Sequence, residues 1–179
     1  MLCIGNTGAG QPSPAGFGST ATELVHSAHC SVAVVRGGRN EALADSRPIV
    51  AYVAGSADDD AVLEFAFEEG NRRNAPLVVM TAWRCRFDGL QNDRLIIDHE
   101  RRMRAILDSY VALWTPRYPD VDVRTIAAYG TFLDCLTEQA KTIQLVVVSA
   151  TQTNEVQQLI GPDADHALRH SDFALLVVR

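Results

Sequence analysis

Lysine is almost missing from this chain: Lys141 stands alone beside fifteen arginines in 179 residues. That removes every lysine-dependent phosphate motif except one at position 141. Positive charge is short overall, with a formal net charge of -6 and a pI near 5.3. Non-specific binding of a phosphate backbone requires a basic stripe, and scattered arginines such as Arg72-Arg73 and Arg101-Arg102 make none, so nucleic acid is not expected as a partner. No apolar run approaches the roughly 20 residues that cross a bilayer. Met1-Leu2-Cys3-Ile4 is too short and uncharged for a signal peptide, which leaves a cytoplasmic protein with no membrane partner as the expectation. The four cysteines, Cys3, Cys30, Cys85 and Cys135, lie far apart without the paired spacing of a zinc site or redox couple, so buried thiols in a reducing compartment are expected.

What is present is a hydrophobic fraction of 47% at a mean hydropathy of -0.01, enough for a buried core in one ordinary domain and a remainder. An internal repeat orders the rest. Gly18-Ser19-Thr20-Ala21 through Val34-Val35-Arg36 aligns without a gap onto Gly161-Pro162-Asp163-Ala164 through Val177-Val178-Arg179. Upstream, Leu2-Cys3-Ile4-Gly5 matches Val146-Val147-Val148-Ser149 with the second loop one residue shorter. The chain therefore reads as beginning inside a domain: residues 1–36 as the carboxyl-terminal part of a first copy, 37–47 as a polar linker, and 48–179 as a complete second copy.

In the second copy Ile49-Val50-Ala51-Tyr52-Val53 fits a buried strand, and Asp58-Asp59-Asp60 favours a helix start after the break at Gly55-Ser56. Val62, Phe65 and Ala66 follow helical spacing, Leu77 to Met80 is a second strand, and residues 92 to 114 form the clearest helix, with Ile96, Met103, Ile106, Leu107, Tyr110 and Trp114 on one face. Val121 to Ile126 alternates as a strand, Leu133, Leu136, Ala140 and Ile143 trace a helix, and Leu145 to Val148 is an apolar strand. A polar loop is expected next, then a helix over 162–170 and a strand over 173–178. This alternation predicts a doubly wound α/β layer with a five-stranded parallel sheet, plus a partial second copy of it. Ligands in such sheets bind beyond the carboxyl ends of the strands, at the switch in strand order.

The one constellation that carries chemistry is Gly5-Asn6-Thr7-Gly8, nine residues, then Gly18-Ser19. It follows a strand and opens a helix, where glycines admit phosphate oxygens close to the backbone and free amides supply donors. Ser19 and Thr20 add hydroxyls. Without a following lysine this is no Walker loop, and its glycine spacing is not the dinucleotide fingerprint.

These residues resemble the universal stress proteins, whose ATP-binding members carry glycine, two residues, glycine, nine residues, then glycine and serine or threonine. Gly5, Gly8, Gly18 and Ser19 match in full, and His26 to Arg36 looks like the family's final helix end and last strand. The paired copies look like the tandem members of actinobacteria. The resemblance implies an adenine-nucleotide alpha-hydrolase-like fold, a stress-response regulatory role without catalysis, and ATP, with magnesium, held by Gly5, Gly8, Gly18, Ser19 and Thr20. It also implies antiparallel pairing of two last strands, Ser31 to Arg36 and Phe173 to Val178, in a homodimer or an intramolecular pseudo-dimer.

The second copy departs from the pattern. Ala54 stands where the family's first strand ends in an adenine-holding aspartate, and Ser149, Gln152 and Pro162 stand in place of Gly5, Gly8 and Ser19. Side chains and a missing amide there obstruct a phosphate cradle, so the second site is expected to be degenerate. The first copy keeps the cradle and lacks upstream strands, which points to a longer natural protein or to a fold retained as a nucleotide-independent dimerisation scaffold. An adenylate-forming enzyme would need a glycine-rich pyrophosphate loop where Gly55-Ser56-Ala57-Asp58 stands, and this is too acidic. His166 and His170, with Asp163 or Asp165, read as surface polar residues rather than metal ligands. Cys135 near a helix start has the placement that lowers a thiol pKa, although no base pairs with it and packing is the expected role. Trp83 and Arg84-Cys85-Arg86-Phe87 mark a rim of the ligand side.

Overall fold

The computed structural model describes residues 1–5, 18–35, 46–84, 93–160, 171 and 173–179. Residues 37–45 of the expected 37–47 linker, the helix over 162–170 with His166 and His170, and Gly8 and Cys85 lie outside these residues. Seven strands form one sheet. They are β1 (Leu2–Gly5), β2 (Val32–Val35), β3 (Ile49–Tyr52), β4 (Leu77–Trp83), β5 (Val123–Tyr129), β6 (Leu145–Ser149) and β7 (Ala174–Val178), in the order β1-β2-β7-β6-β3-β4-β5. The helices are α1 (Ser19–Ser27), α2 (Asp59–Arg73), α3 (Asp93–Trp114), α4 (Phe132–Gln139) and α5 (Thr153–Ile160).

β3 to β7 are all parallel, the expected five-stranded unit. β1 and β2 are parallel to each other, and β2 meets β7 antiparallel, with Val32 opposite Val177, Ala33 opposite Leu176 and Val34 opposite Leu175. The strand that would otherwise leave the β7 edge bare is thus supplied by the same chain. This pairing reverses direction across the seam: Gly5 and Val35 end β1 and β2 at the edge of the sheet where β3 to β7 begin.

Both faces of the sheet are covered, which is why the central strands are apolar on both sides. Ile49, Ala51 and Val53 face Val62, Leu63, Phe67 and Leu107 of α2 and α3, whereas Val50 and Tyr52 face Phe132, Leu136, Val156 and Leu159 of α4 and α5, beside Ala21 and Val25 of α1. α2 opens with Asp59 and Asp60, closes with Arg72 and Arg73, and stops at Asn74 in the left-handed conformation (φ 50°). In its last turn Arg72 and Arg73 both hydrogen-bond Glu69; burial alone would raise that carboxyl, but these partners hold it below its usual value.

The structure corrects three expectations. The segment after β6 is a helix, α5, rather than a polar loop, because Val156, Leu159 and Ile160 form a buried stripe that its polar neighbours mask in a linear reading. In α3, Leu107 is buried but Ile106 is 44% exposed, since the helix lies on the sheet by a narrower stripe than its apolar residues trace. The thiols are not all buried as expected: Cys3, on the edge strand β1, and Cys30 are exposed.

Candidate functional site

The glycine loop lies at the carboxyl end of β1. Gly5 closes that strand and is exposed; Gly18 precedes α1, and Ser19 and Thr20 form its first, exposed turn. Gly18 has φ -57° and ψ 156° and supplies no side-chain cap, and no acid occupies the first turn of α1. Among the described residues no side chain caps the leading amides of α1. Gly5, Gly18, Ser19 and Thr20 all belong to this one strand-to-helix crossover.

The matching place in the five-stranded unit, the carboxyl end of β6, is built differently. Strand order switches between β6 and β3, and the crevice beyond their carboxyl ends is where an open α/β sheet binds ligands. Here protein groups close it. The Gln152 Oε1 accepts from the Ser149 amide at 3.1 Å, and its Nε2 donates to the Tyr52 carbonyl at 3.4 Å and to Asp59 at 3.5 Å. The Asp59 carboxylate in turn accepts from the amides of Ala54, Gly55 and Ser56 and from the Ser56 hydroxyl at 2.7 to 3.3 Å. Gly55, at φ +79°, turns those amides inward. Thr151 closes the mouth by donating to Asp58 at 2.7 Å. A carboxylate thus occupies the local anion nest, and two more acids flank it.

Beside this filled crevice, at the carboxyl ends of β3 and β4, lies a cavity of about 680 Å³. Its wall includes Trp83 and Arg84, the expected rim, together with Tyr52, Phe132, residues of α5, and Thr22 and His26 of α1. α1 therefore serves two places, the glycine crossover at its start and this cavity further along. They sit at opposite edges of the sheet, because the seam is antiparallel. Arg179 fixes the arrangement by donating to the Val25 and His26 carbonyls at 2.8 and 3.0 Å, a cation at the end of α1.

A family model, the universal stress protein family, matches residues 46–179. Two universal stress proteins of Mycobacterium tuberculosis are 36% and 34% identical over 178 and 179 residues. The chain belongs to the universal stress protein family. It spans 61% of the length of these relatives, while they cover 99% and 100% of it. Among solved structures, a universal stress protein of Archaeoglobus fulgidus shares the fold at a TM-score of 0.57 and 17% identity, covering 90% of this chain and 54% of that one. A universal stress protein in complex with cAMP does so at 0.53 and 19%, covering 75% of this chain and 98% of that one.

Within this universal stress protein fold, the residues missed by sequence reasoning are those that fill and flank the crevice. Asp59 was legible only as a helix-start acid, and Gln152 only as a lost glycine. Tyr52 and Phe132, whose ring centroids lie 4.3 Å apart, read as ordinary core positions. The thiol of Cys135 is the opposite of activated: burial, with Asp134 and Glu138 nearby, raises its pKa. Among the described residues no group of three His, Cys, Asp or Glu is placed to hold a metal.

Proposed function

We propose that this chain is part of a stress-response regulatory protein of tandem build, in which an adenine nucleotide acts as the ligand that biases partner binding. Residues 1–36 are read as the end of a first domain, 37–47 as its linker, and 48–179 as a diverged second domain. The observation that carries the reading is the loop itself: Gly5, Gly8, Gly18 and Ser19 keep the full phosphate-binding spacing on a crossover whose helix start has no side-chain cap. These residues fit a triphosphate, with Thr20 adding a hydroxyl and magnesium riding on the phosphates. ATP supplies charge and binding energy there; the chain's own contribution is amide donors, hydroxyls and room for the backbone to approach. A solved universal stress protein in complex with cAMP supports the class of ligand.

The role is regulatory rather than catalytic, and the cytoplasm is its setting. A second reading, a nucleotide-independent scaffold that acts by dimerisation, draws support from the filled crevice and from the β2–β7 seam. Calorimetric titration of the chain with ATP and magnesium, beside a Gly18→Val variant, separates the two. The Gly18 backbone angles suit any residue, so valine tests the space around the loop and not backbone strain. Saturable binding that the variant loses is the expected result; absence of binding to the parent chain favours the scaffold.

A further inference from the structure

On the face of the sheet that carries α4, a second and smaller space opens beside that helix. Side-chain alternation along β3, β4 and β5 brings Val50, Val78, Met80, Ile126 and Ala128 to it. α4, only eight residues long, and the turn after it answer with Cys135, Leu136 and Ile143. Two of these side chains, Ala128 and Cys135, are small, and a recess of about 150 Å³ is left between α4 and the strands. Val50 and Val78 are the second residues of β3 and β4, so the recess lies toward the amino ends of those strands. It shares no residue with the cavity at their carboxyl ends.

The wall decides what such a space takes. Inside, it is apolar apart from the thiol; Glu138 and Gln139 are exposed, which places them at the mouth. Ile126, Ala128 and Cys135 are half-buried, so the recess is reachable from solvent. Ordered water needs two to four polar partners, which these side chains do not offer, whereas an apolar cavity of this volume holds a benzene-sized guest. The Cys135 thiol stays neutral, because burial first, then Asp134 and Glu138, raises its pKa. A neutral thiol packs as a small apolar group. Among the described residues no cation lines the recess, and Glu138 at the mouth opposes a carboxylate or phosphate. Gln139 beside it offers both a donor and an acceptor to one uncharged polar end.

We infer that this recess is a ligand site for a small neutral amphiphile, an apolar body of about five or six carbon atoms ending in one hydroxyl. The body lies against Val50, Met80 and Ile126, and the hydroxyl sits at the mouth beside Gln139. Filling the recess ties α4 to β4 and β5, so binding stabilises the folded chain. All of its residues lie between positions 50 and 143, so the site stands or falls independently of nucleotide binding by residues 1–36.

The probes are the straight-chain primary alcohols from ethanol to heptanol, titrated into the intact chain and followed by protein-detected NMR. Saturable binding is expected, with affinity rising about fourfold per methylene, the transfer gain of one buried CH₂, and levelling off near pentanol or hexanol as the recess fills. The shifts should centre on Met80, Ile126 and Ile143, while Trp83 and Phe132 of the other cavity stay unmoved. Hexanoate, a body of the same length with a charge, is expected to bind at least about tenfold more weakly than hexanol. Cys135→Leu and Ala128→Leu each add bulk inside the recess and should weaken pentanol at least about tenfold, with folding checked by circular dichroism. No saturation by pentanol, an affinity that ignores chain length, hexanoate binding as well as hexanol, shifts centred on Trp83, or undiminished binding by either folded variant would each overturn the inference. If neither variant folds, the chain-length series and the shift map on the parent chain decide it.

Discussion

The carboxyl ends of β1 and β6 hold matching places in the internal repeat, Gly5 opposite Ser149, and they differ in what stands there. At the first, Gly5 is exposed and Gly18 offers no side chain to cap α1. At the second, side chains fill the crevice. Ser149 is buried, its amide answered by Gln152, and Gln152 reaches across to the β3 end and Asp59. Among the described residues the β1 end gives α1 no side-chain cap, whereas the β6 end satisfies its backbone through Gln152 and gains rigidity.

The largest effect is expected where the two units join. Leu176 lies opposite Ala33 on the β2–β7 seam and is 4% exposed. Leu176→Glu places an unpaired charge in that seam and removes packing, an expected loss of at least about 3 kcal/mol. The thermal unfolding midpoint should drop steeply, and an unchanged midpoint would mean that β2 does not cover β7 in solution. The same variant asks whether the β1 end keeps its shape when its neighbour is displaced.

A smaller effect isolates the β6 end. Gln152→Ala leaves the Ser149 amide buried without its partner and frees Asp59 of one donor, an expected cost of about 2 kcal/mol in urea unfolding. A change below about 0.5 kcal/mol would show that water or a neighbour replaces the amide, and the contrast between the two strand ends would then rest on shape alone.

How much of this was readable beforehand follows a physical line. Unbroken apolar runs mark strands buried on both faces and periodicity marks helices that bury one, so β3 and β6, α2 and α3 were legible, and the family resemblance made even the antiparallel seam of Ser31 to Arg36 with Phe173 to Val178 an expectation that the β2–β7 register matches. The glycine spacing was legible because backbone access leaves a compositional trace. α5 was missed because its buried stripe of Val156, Leu159 and Ile160 is short and its remaining positions are polar. The crevice network was missed because hydrogen bonds between Gln152 and Tyr52, one hundred positions apart, leave no local pattern. The cavity escaped for the same reason, its wall being gathered from α1, β3, β4, α4 and α5.

The smallest expected effect calibrates what a side-chain cap is worth in this protein, against the start of α1, where Gly18 supplies none. α4 begins with a reciprocal cap: Thr131 Oγ1 accepts from the Asp134 amide at 3.1 Å, and the Asp134 carboxylate accepts from the Thr131 amide at 3.0 Å. Those hydrogen bonds with Thr131, aided by Arg84, hold the Asp134 carboxyl below its usual range. A depressed folded-state pKa means that the stabilisation is present above the unfolded pKa of about 4 and is lost as pH falls through the folded value. The carboxylate is largely exposed, so solvent screening keeps the electrostatic part small. Thr131→Val should therefore cost about 1 kcal/mol at neutral pH, and the gap between parent and variant should narrow below about pH 4. Parallel urea titrations at pH 7 and pH 3.5 check both halves of that statement. A cost that holds constant across the two pH values would assign the loss to the threonine's bond alone, and would set the value of the single side-chain cap that Gly18 does not give α1.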